Sequence, residues 1–300
     1  MMNKKYFLQA MAMMLGVVLS VSFVSCGDDD EDDSGSSTPA VSNSVLSSRL
    51  KDVNGKTLLL TAVGDNEYRY ASNGSLLMCG WLSNMNSKDR FMFDGLNYTA
   101  GDDEIEVDGR VELNRDGLVS KGYCNIKESY NESGIIEWTC SWEFTCTYNS
   151  EKQLQKIEAT THQEDFDENG QLEHSGEELA ILTYTWTDGN LVKVVTTYQE
   201  SGHVSDDFFK PMTVTYSYGN EENVTRQPLN CQEMLYDRGF MELNVLGLYG
   251  IGPRNFPISY TLERNTYKSS ESISFTLNDD GSINTETVSR YDAYQYTYMK

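Results

Sequence analysis

The sequence lacks the short motifs that mark common catalytic sites. It has no G-x-S-x-G, no H-E-x-x-H and no glycine-rich phosphate-binding loop. Its three histidines, His162, His174 and His203, lie in polar segments without a nearby nucleophile motif. No pair of cysteines has zinc-ligand spacing. The sequence therefore assigns no catalytic residue, no metal centre and no cofactor, although its many acids leave a glycosidase carboxylate pair open.

Basic residues are scarce. The chain has 23 Lys and Arg against 46 Asp and Glu, which gives a formal net charge of −23. A domain this acidic repels nucleic acid and anionic membrane surfaces. We therefore expect no nucleic-acid partner and a preference for neutral or cationic ligands.

Long apolar runs are missing except at the N-terminus. Lys4 and Lys5 precede a mostly apolar stretch, residues 6–24, which is typical of a secretory signal and spans a bilayer poorly. It ends in Phe23-Val24-Ser25-Cys26, which resembles a bacterial lipobox, where the cysteine thiol receives a diacylglycerol before the preceding peptide bond is cut. We predict a signal peptide over residues 1–25, a lipidated Cys26 and membrane attachment through that lipid.

Six consecutive acids, residues 28–33, follow Cys26, and a Ser/Gly-rich stretch follows them. Such segments repel themselves and stay flexible, so we predict a flexible acidic tether that ends at residue 44. The acids after the cysteine also resemble the surface-export signal of Bacteroidetes lipoproteins. That resemblance implies the outer face of the outer membrane, with the periplasm-facing leaflet as the alternative.

Apolar and polar residues alternate through much of residues 45–300, as expected of strands with one buried face. The clearest alternations are residues 138–148, 180–187, 212–218, 272–277 and 294–298. Asn-Gly or Asp-Gly pairs, which supply the positive φ of hairpin turns, lie at residues 73–74, 116–117, 169–170, 188–189 and 280–281. We predict one all-β domain, a large antiparallel up-and-down meander of roughly 14 strands, curled or barrel-like.

We expect this domain to be soluble for three reasons. Its N-terminus is lipidated, its last residues are Met299 and Lys300 rather than an aromatic terminus, and strands such as residues 104–110 carry charge that we place on both faces. One segment departs from the β pattern. Asn230 and Glu233 form a capping box before near-helical apolar spacing, so we predict a short helical segment near residues 231–249.

The hairpin pattern resembles the tyrosine-and-aspartate repeats of secreted bacterial proteins. The late stretch Leu246-Gly-Leu-Tyr-Gly-Ile-Gly-Pro253, followed by hairpins and a Tyr-x-Tyr-x-Tyr terminus, resembles a family of Bacteroides-type surface lipoproteins. That family is catalogued as a domain of unknown function with a porin-like fold. The resemblance implies a curled β meander and carries no catalytic residues.

Two candidate sites remain. Asp165, Asp167 and Asn169 match the first half of a calcium loop, but Gly176 stands where the bidentate acid belongs, so we favour a plain turn. Cys124 and Cys140 flank a turn that places them on one face of a hairpin, which makes them a candidate disulfide if they lie directly opposite. The remaining cysteines are expected to be buried thiols.

The sequence leaves three functions open. The first is a binding module for an extracellular ligand, such as glycan or a host polymer, through an aromatic-lined face. The second is an extracellular hydrolase. The third is a structural or adhesion component of the envelope. We favour the binding module over the hydrolase and leave enzyme activity open, leaning against it. The 19 tyrosines and four tryptophans offer stacking surfaces, although most lie at alternating strand positions and are more simply read as core.

Overall fold

A computed structural model describes residues 46–64, 66–79, 90–94, 96–101, 105–130, 134–202, 211–229, 241–289 and 293–299. The predicted signal peptide and tether lie outside these ranges. Backbone contacts group Ser42–Lys300 into one unit. The strands are β1 Leu60–Val63, β2 Asn66–Tyr70, β3 Leu76–Cys79, β4 Arg90–Asp94, β5 Asn97–Gly101, β6 Ile105–Leu113, β7 Val119–Tyr130, β8 Ile135–Tyr148, β9 Leu154–Phe166, β10 Leu172–Thr187, β11 Asn190–Gly202, β12 Met212–Glu222, β13 Asn255–Arg264, β14 Tyr267–Leu277, β15 Ile283–Val288 and β16 Tyr294–Tyr298.

The sixteen strands of the described ranges belong to one antiparallel sheet, in the order β3-β2-β1-β16-β15-β14-β13-β12-β11-β10-β9-β8-β7-β6-β5-β4. Sequential strands are paired from β4 to β16, and the first strand pairs with the last, with Leu60 opposite Tyr298. The two strands that end this order, β3 and β4, also contact each other. The predicted all-β meander is confirmed, with sixteen strands where roughly 14 were expected.

One face of the sheet, which we call the inner face, is buried. In β8, the buried side chains of Cys140, Trp142, Phe144 and Cys146 alternate with more exposed ones, as the sequence predicted. The expectation of charge on both faces of residues 104–110 is wrong for the described residues. Glu106, Asp108 and Arg110 all lie on the exposed face, because residues two apart share a face of a strand.

Four hairpin turns share one local design. The first residue of each is Asp or Asn, and its side-chain oxygen accepts hydrogen bonds from the backbone N–H groups two and four residues later. These first residues are Asp52, Asn114, Asn149 and Asp167. The residue three positions on has positive φ, and in three of the four turns it is glycine. The side chain thus satisfies backbone donors where the ladder ends.

The lower end of the sheet, where the turns that begin at Asn114 and Asn149 lie, is covered by residues 46–58 and 241–254. Arg49 N donates to Leu246 O at 2.9 Å, and Val119 N donates to Leu248 O at 2.9 Å. Gly252 permits close packing of this segment against Gln227, because a Cβ there would overlap the backbone of Gln227. The buried Leu246, Leu248 and Tyr249 therefore close the inner face from below.

The predicted helical segment near residues 231–249 is confirmed only for α1, Met241–Asn244. Residues 230–240 lie outside the described ranges, and residues 245–249 form turns whose side chains are buried. The backbone of these turns contacts the sheet, because Leu248 O accepts a hydrogen bond from Val119 N. A continuous helix would not make this contact. Among the described residues, no helix has the length and apolarity needed to cross a membrane.

The strands differ in length. β7–β14 have 10 to 16 residues, whereas β1–β5, β15 and β16 have 4 to 6. β15 pairs only with residues 273–277 of β14. The long strands therefore extend beyond the short ones at the upper end, which is the end that carries the turn beginning at Asp167.

Candidate functional site

Three rows of residues cross the inner face of β8, β9 and β10 near the upper end. The lowest row is Trp142, Thr161 and Glu178, the middle row is Cys140, Gln163 and Gly176, and the top row is Trp138, Asp165 and His174. We call these nine residues the upper inner wall.

Only the top row of the upper inner wall is open to solvent, and Cys140 and Gln163 in the middle row are 0% exposed. Trp142 and Thr161 are each 2% exposed and Glu178 is 4% exposed, whereas Trp138 and Asp165 are half-buried and His174 is exposed. Solvent therefore reaches the top row, while the middle and lowest rows are buried.

The row directly below the upper inner wall is apolar. Phe144, Ala159 and Ala180 lie side by side there, and all three are buried. Apolar side chains are the ordinary filling of such a face. The hydroxyl, amide and carboxylate groups of the wall are thus a local departure from the core pattern.

Two buried oxygens of the wall have no hydrogen-bond partner among the described residues. They are Thr161 Oγ1 and Asp165 Oδ2, which lie on β9 on either side of Gln163. Gln163 Nε2 donates to the other carboxylate oxygen, Asp165 Oδ1, at 3.2 Å. A buried polar group without a partner costs about 1–3 kcal/mol, and bound water or a polar ligand removes that cost.

The wall combines these polar groups with two indole rings. Trp138 and Trp142 share one face of β8 and lie roughly 13 Å apart along the strand. Indole rings offer flat apolar surfaces for stacking, while hydroxyl, amide and carboxylate groups fix the orientation of a polar ligand. This composition suits a ligand that carries both hydroxyl groups and flat apolar faces.

Two other buried acids have partners of their own. Ser289 Oγ donates to Glu271 Oε2 at 2.8 Å, and Tyr296 OH donates to Glu286 Oε2 at 2.7 Å. Both lie on β14–β16, away from the wall. Their protein partners give them a structural role.

Cys124 and Cys140 share the inner face, as predicted, and both are fully buried. The register, however, places Cys124 opposite Trp142 and Cys140 opposite Ile126. Such diagonal neighbours are about 7–8 Å apart, beyond disulfide reach. The register therefore contradicts the candidate disulfide, and Cys124, Cys140 and Cys146 form no disulfide in this structure.

The calcium candidates Asp165, Asp167 and Asn169 have separate roles. Asp165 belongs to the wall, whereas Asp167 Oδ1 accepts from Asn169 N at 2.9 Å and Gln171 N at 2.8 Å. These bonds lower the pKa of Asp167, that from Gln171 most. No group of three or more His, Cys, Asp or Glu within the described ranges is arranged to hold a metal ion. The chain makes a turn at residues 167–170, and the absence of a calcium site there stays a prediction.

The comparisons with known proteins support the fold. Neither the protein-family models nor the curated proteins contain a match to this chain. Among solved structures, the chain is similar to a porin-like protein from Bacteroides vulgatus, with a TM-score of 0.50 and 13% identity over 80% of this chain and 99% of that one. A porin-like protein from Bacteroides uniformis has a TM-score of 0.47 and 14% identity over 86% of this chain and 99% of that one. The first likeness supports the porin-like fold that the sequence resemblance implied.

Sequence reasoning did not find the upper inner wall. The signal was present in β9, where Ile157 and Ala159 alternate towards Thr161 and Gln163. Continuing the apolar face of β10 backwards from Ala180 likewise leads to Glu178. A strand whose buried face changes from apolar to polar along its length marks such a site.

Proposed function

We propose that the protein is a lipoprotein of the outer membrane that faces the cell exterior and binds an extracellular glycan on the upper inner wall. The lipobox around Cys26 supports the lipid anchor, and the acids at residues 28–33 support the outward orientation. The binding site follows from the geometry of the wall.

One observation carries the proposal for the binding site. Thr161 Oγ1 and Asp165 Oδ2 are buried and have no hydrogen-bond partner in the described part of the chain, on the strand next to Trp138 and Trp142. A glycan offers hydroxyl groups to the two oxygens and apolar ring faces to the indoles. It therefore matches both features of the wall at once.

The charge of the wall also favours a neutral ligand. Glu178 and Asp165 supply carboxylates, and His174 is the one titratable base among the nine wall residues. An acidic ligand at the wall would be repelled by these two carboxylates.

Hydrolysis is less well supported than binding. A glycosidase needs two carboxylates about 5–10 Å apart. Asp165 and Glu178 lie two rows apart, which is roughly 13 Å along the strands. We therefore favour capture over cleavage, and a structural or adhesion role would show no glycan binding at all.

The test is a glycan-array screen of the Cys26→Ser chain, which lacks the predicted lipid anchor. Thr161→Val should remove binding of any glycan found, because it deletes the unpaired hydroxyl while keeping the shape. Thr196→Val is the matched control. Thr196 is equally buried on the inner face, also has an unpaired hydroxyl within the described part, and lies outside the wall. Equal binding by both variants would refute the site.

A further inference from the structure

A cleft of about 710 Å³ lies at the lower end of the sheet, away from the upper inner wall. It is lined by Asn149, Glu151, Gln153, Trp186, Asp188, Gly189, Glu222, Arg226 and Arg254. The turns after β8, β10 and β12 meet there. We call it the lower cleft.

The floor of the lower cleft carries an unused donor. Gln153 is 2% exposed, and its Nε2 has no hydrogen-bond partner in the described part of the chain. Its other amide atom is fixed, because Asn149 Nδ2 donates to Gln153 Oε1 at 2.7 Å. The amide is therefore held in an orientation that leaves two N–H groups without an acceptor.

Two arginines line the same cleft. Half-buried Arg226 donates through Nε to Gly252 O at 2.9 Å, and Arg254 is exposed. Neither guanidinium forms an ion pair with any described residue. Burial lowers the pKa of Arg226, the charge of Glu151 opposes that shift, and the charge of Arg254 adds to it. In a chain with twice as many acids as bases, two neighbouring arginines without ion pairs are unusual.

The carboxylates of the lower cleft lie at its rim. Glu151, Asp188 and Glu222 are all exposed, whereas Gln153 and Arg226 are withdrawn from solvent. Water and salt screen exposed charges more strongly than buried ones. The floor therefore presents hydrogen-bond donors and positive charge, although the rim contains acids.

We propose that the lower cleft binds an oxyanion group, such as the phosphate of a lipid headgroup or a free phosphate. The Gln153 amide and the guanidinium of Arg254 supply its hydrogen bonds, and Arg226 adds charge from the floor. Guanidinium groups match the geometry of phosphate oxygens. This site is independent of the glycan site proposed above.

The experiment uses the Cys26→Ser chain so that no attached lipid contributes. Calorimetry with inorganic phosphate measures binding of the free oxyanion. Co-sedimentation with phosphatidylcholine vesicles, with and without phosphatidylglycerol, measures binding of the lipid headgroup. Binding in either arm supports the site, and the arm that responds identifies the source. Absence of binding in both arms overturns the proposal.

Two variants locate the binding. Arg254→Gln should weaken it at least tenfold, whereas Arg69→Gln, which removes an exposed arginine paired with Glu67, should leave it unchanged. Gln153→Glu should abolish binding, because it replaces the buried donor with a negative acceptor that still accepts from Asn149. Should Gln153→Glu fail to fold, the exposed Arg254 variant decides alone. Wild-type affinity in Arg254→Gln contradicts the proposal.

Discussion

The ring of Phe144 lies over Gly122 on the neighbouring strand. The two residues are directly opposite in the β7–β8 ladder, and a Cβ on Gly122 would overlap the ring. Phe144 also packs against Tyr249, with ring centroids 6.4 Å apart. The missing side chain at Gly122 therefore lets one ring join the sheet to the segment that covers its lower end.

Gly122→Ala should destabilise the fold by about 1–3 kcal/mol, because the added methyl group forces the Phe144 ring to move. Urea unfolding measures the loss. In Gly122→Ala/Phe144→Leu, the smaller side chain should recover part of it. If the two single changes are simply additive, the steric explanation fails.

Stability should fall above about pH 9. Burial raises the pKa of the Cys146 thiol to about 12 and raises the pKa of Tyr184 as well. The unfolded thiol ionises near pH 8.5. Between these pH values the native thiol keeps a proton that the unfolded thiol loses. The free energy of unfolding is therefore highest below this window and decreases as the pH rises through it.

Cys146→Val should remove this contribution. Its free energy of unfolding should fall less steeply from pH 9 to 11 than that of the wild type, by up to about 1.4 kcal/mol per pH unit. Denaturant unfolding at several pH values gives the slopes. Parallel slopes would show that the thiol ionises in the folded protein too.

Asp167→Ala should lower stability at neutral pH, whereas Asp167→Asn should stay close to wild type, because Asn114 and Asn149 make the same turn bonds. The native pKa of Asp167 is lowered by its backbone donors, so the difference between wild type and the Ala variant should persist above about pH 4 and disappear in acid. Thermal unfolding with and without calcium completes the test. A calcium-dependent rise in Tm that is lost in Asp167→Ala would support the calcium site instead of the plain turn.

Cys26→Ser should release the protein from membranes, because it removes the thiol that is predicted to carry the lipid. Cell fractionation with labelled palmitate measures both effects. Replacement of residues 28–33 by Ser and Gly should keep the label but abolish protease accessibility on intact cells. A membrane-bound, labelled Cys26→Ser protein would disprove the anchor, and unchanged accessibility would disprove the export signal.

The fold was largely predictable because its main determinants are local. Asp188-Gly189 and Asn169-Gly170 fix chain reversals within a few residues, and the alternation around Trp142 identifies the buried face directly. The pairing of β1 with β16 was not predictable, since no local pattern states which distant strand completes the ladder.

The candidate sites were less predictable for the same reason. Thr161 and Glu178 are ordinary polar residues until the register of three strands places them beside Trp142. Gln153, Arg226 and Arg254 come from turns far apart in sequence. The predicted disulfide differs from the observed pairing by one step of register. The geometry of the intervening loop sets that register, and the sequence does not specify it.

The ladder between the first and last strands has a consequence for the order of folding. The hydrogen bond from Thr61 Oγ1 to Thr297 O joins residues 236 apart in sequence, whereas each other ladder joins successive strands. Hairpins can therefore form one after another as the chain is synthesised, but this ladder must wait for the final strand. The entropy cost of closing this long loop is therefore incurred in a single late step. Until then, β1 and the growing end of the sheet both present open strand edges, and it is in this interval that the chain is most exposed to aggregation.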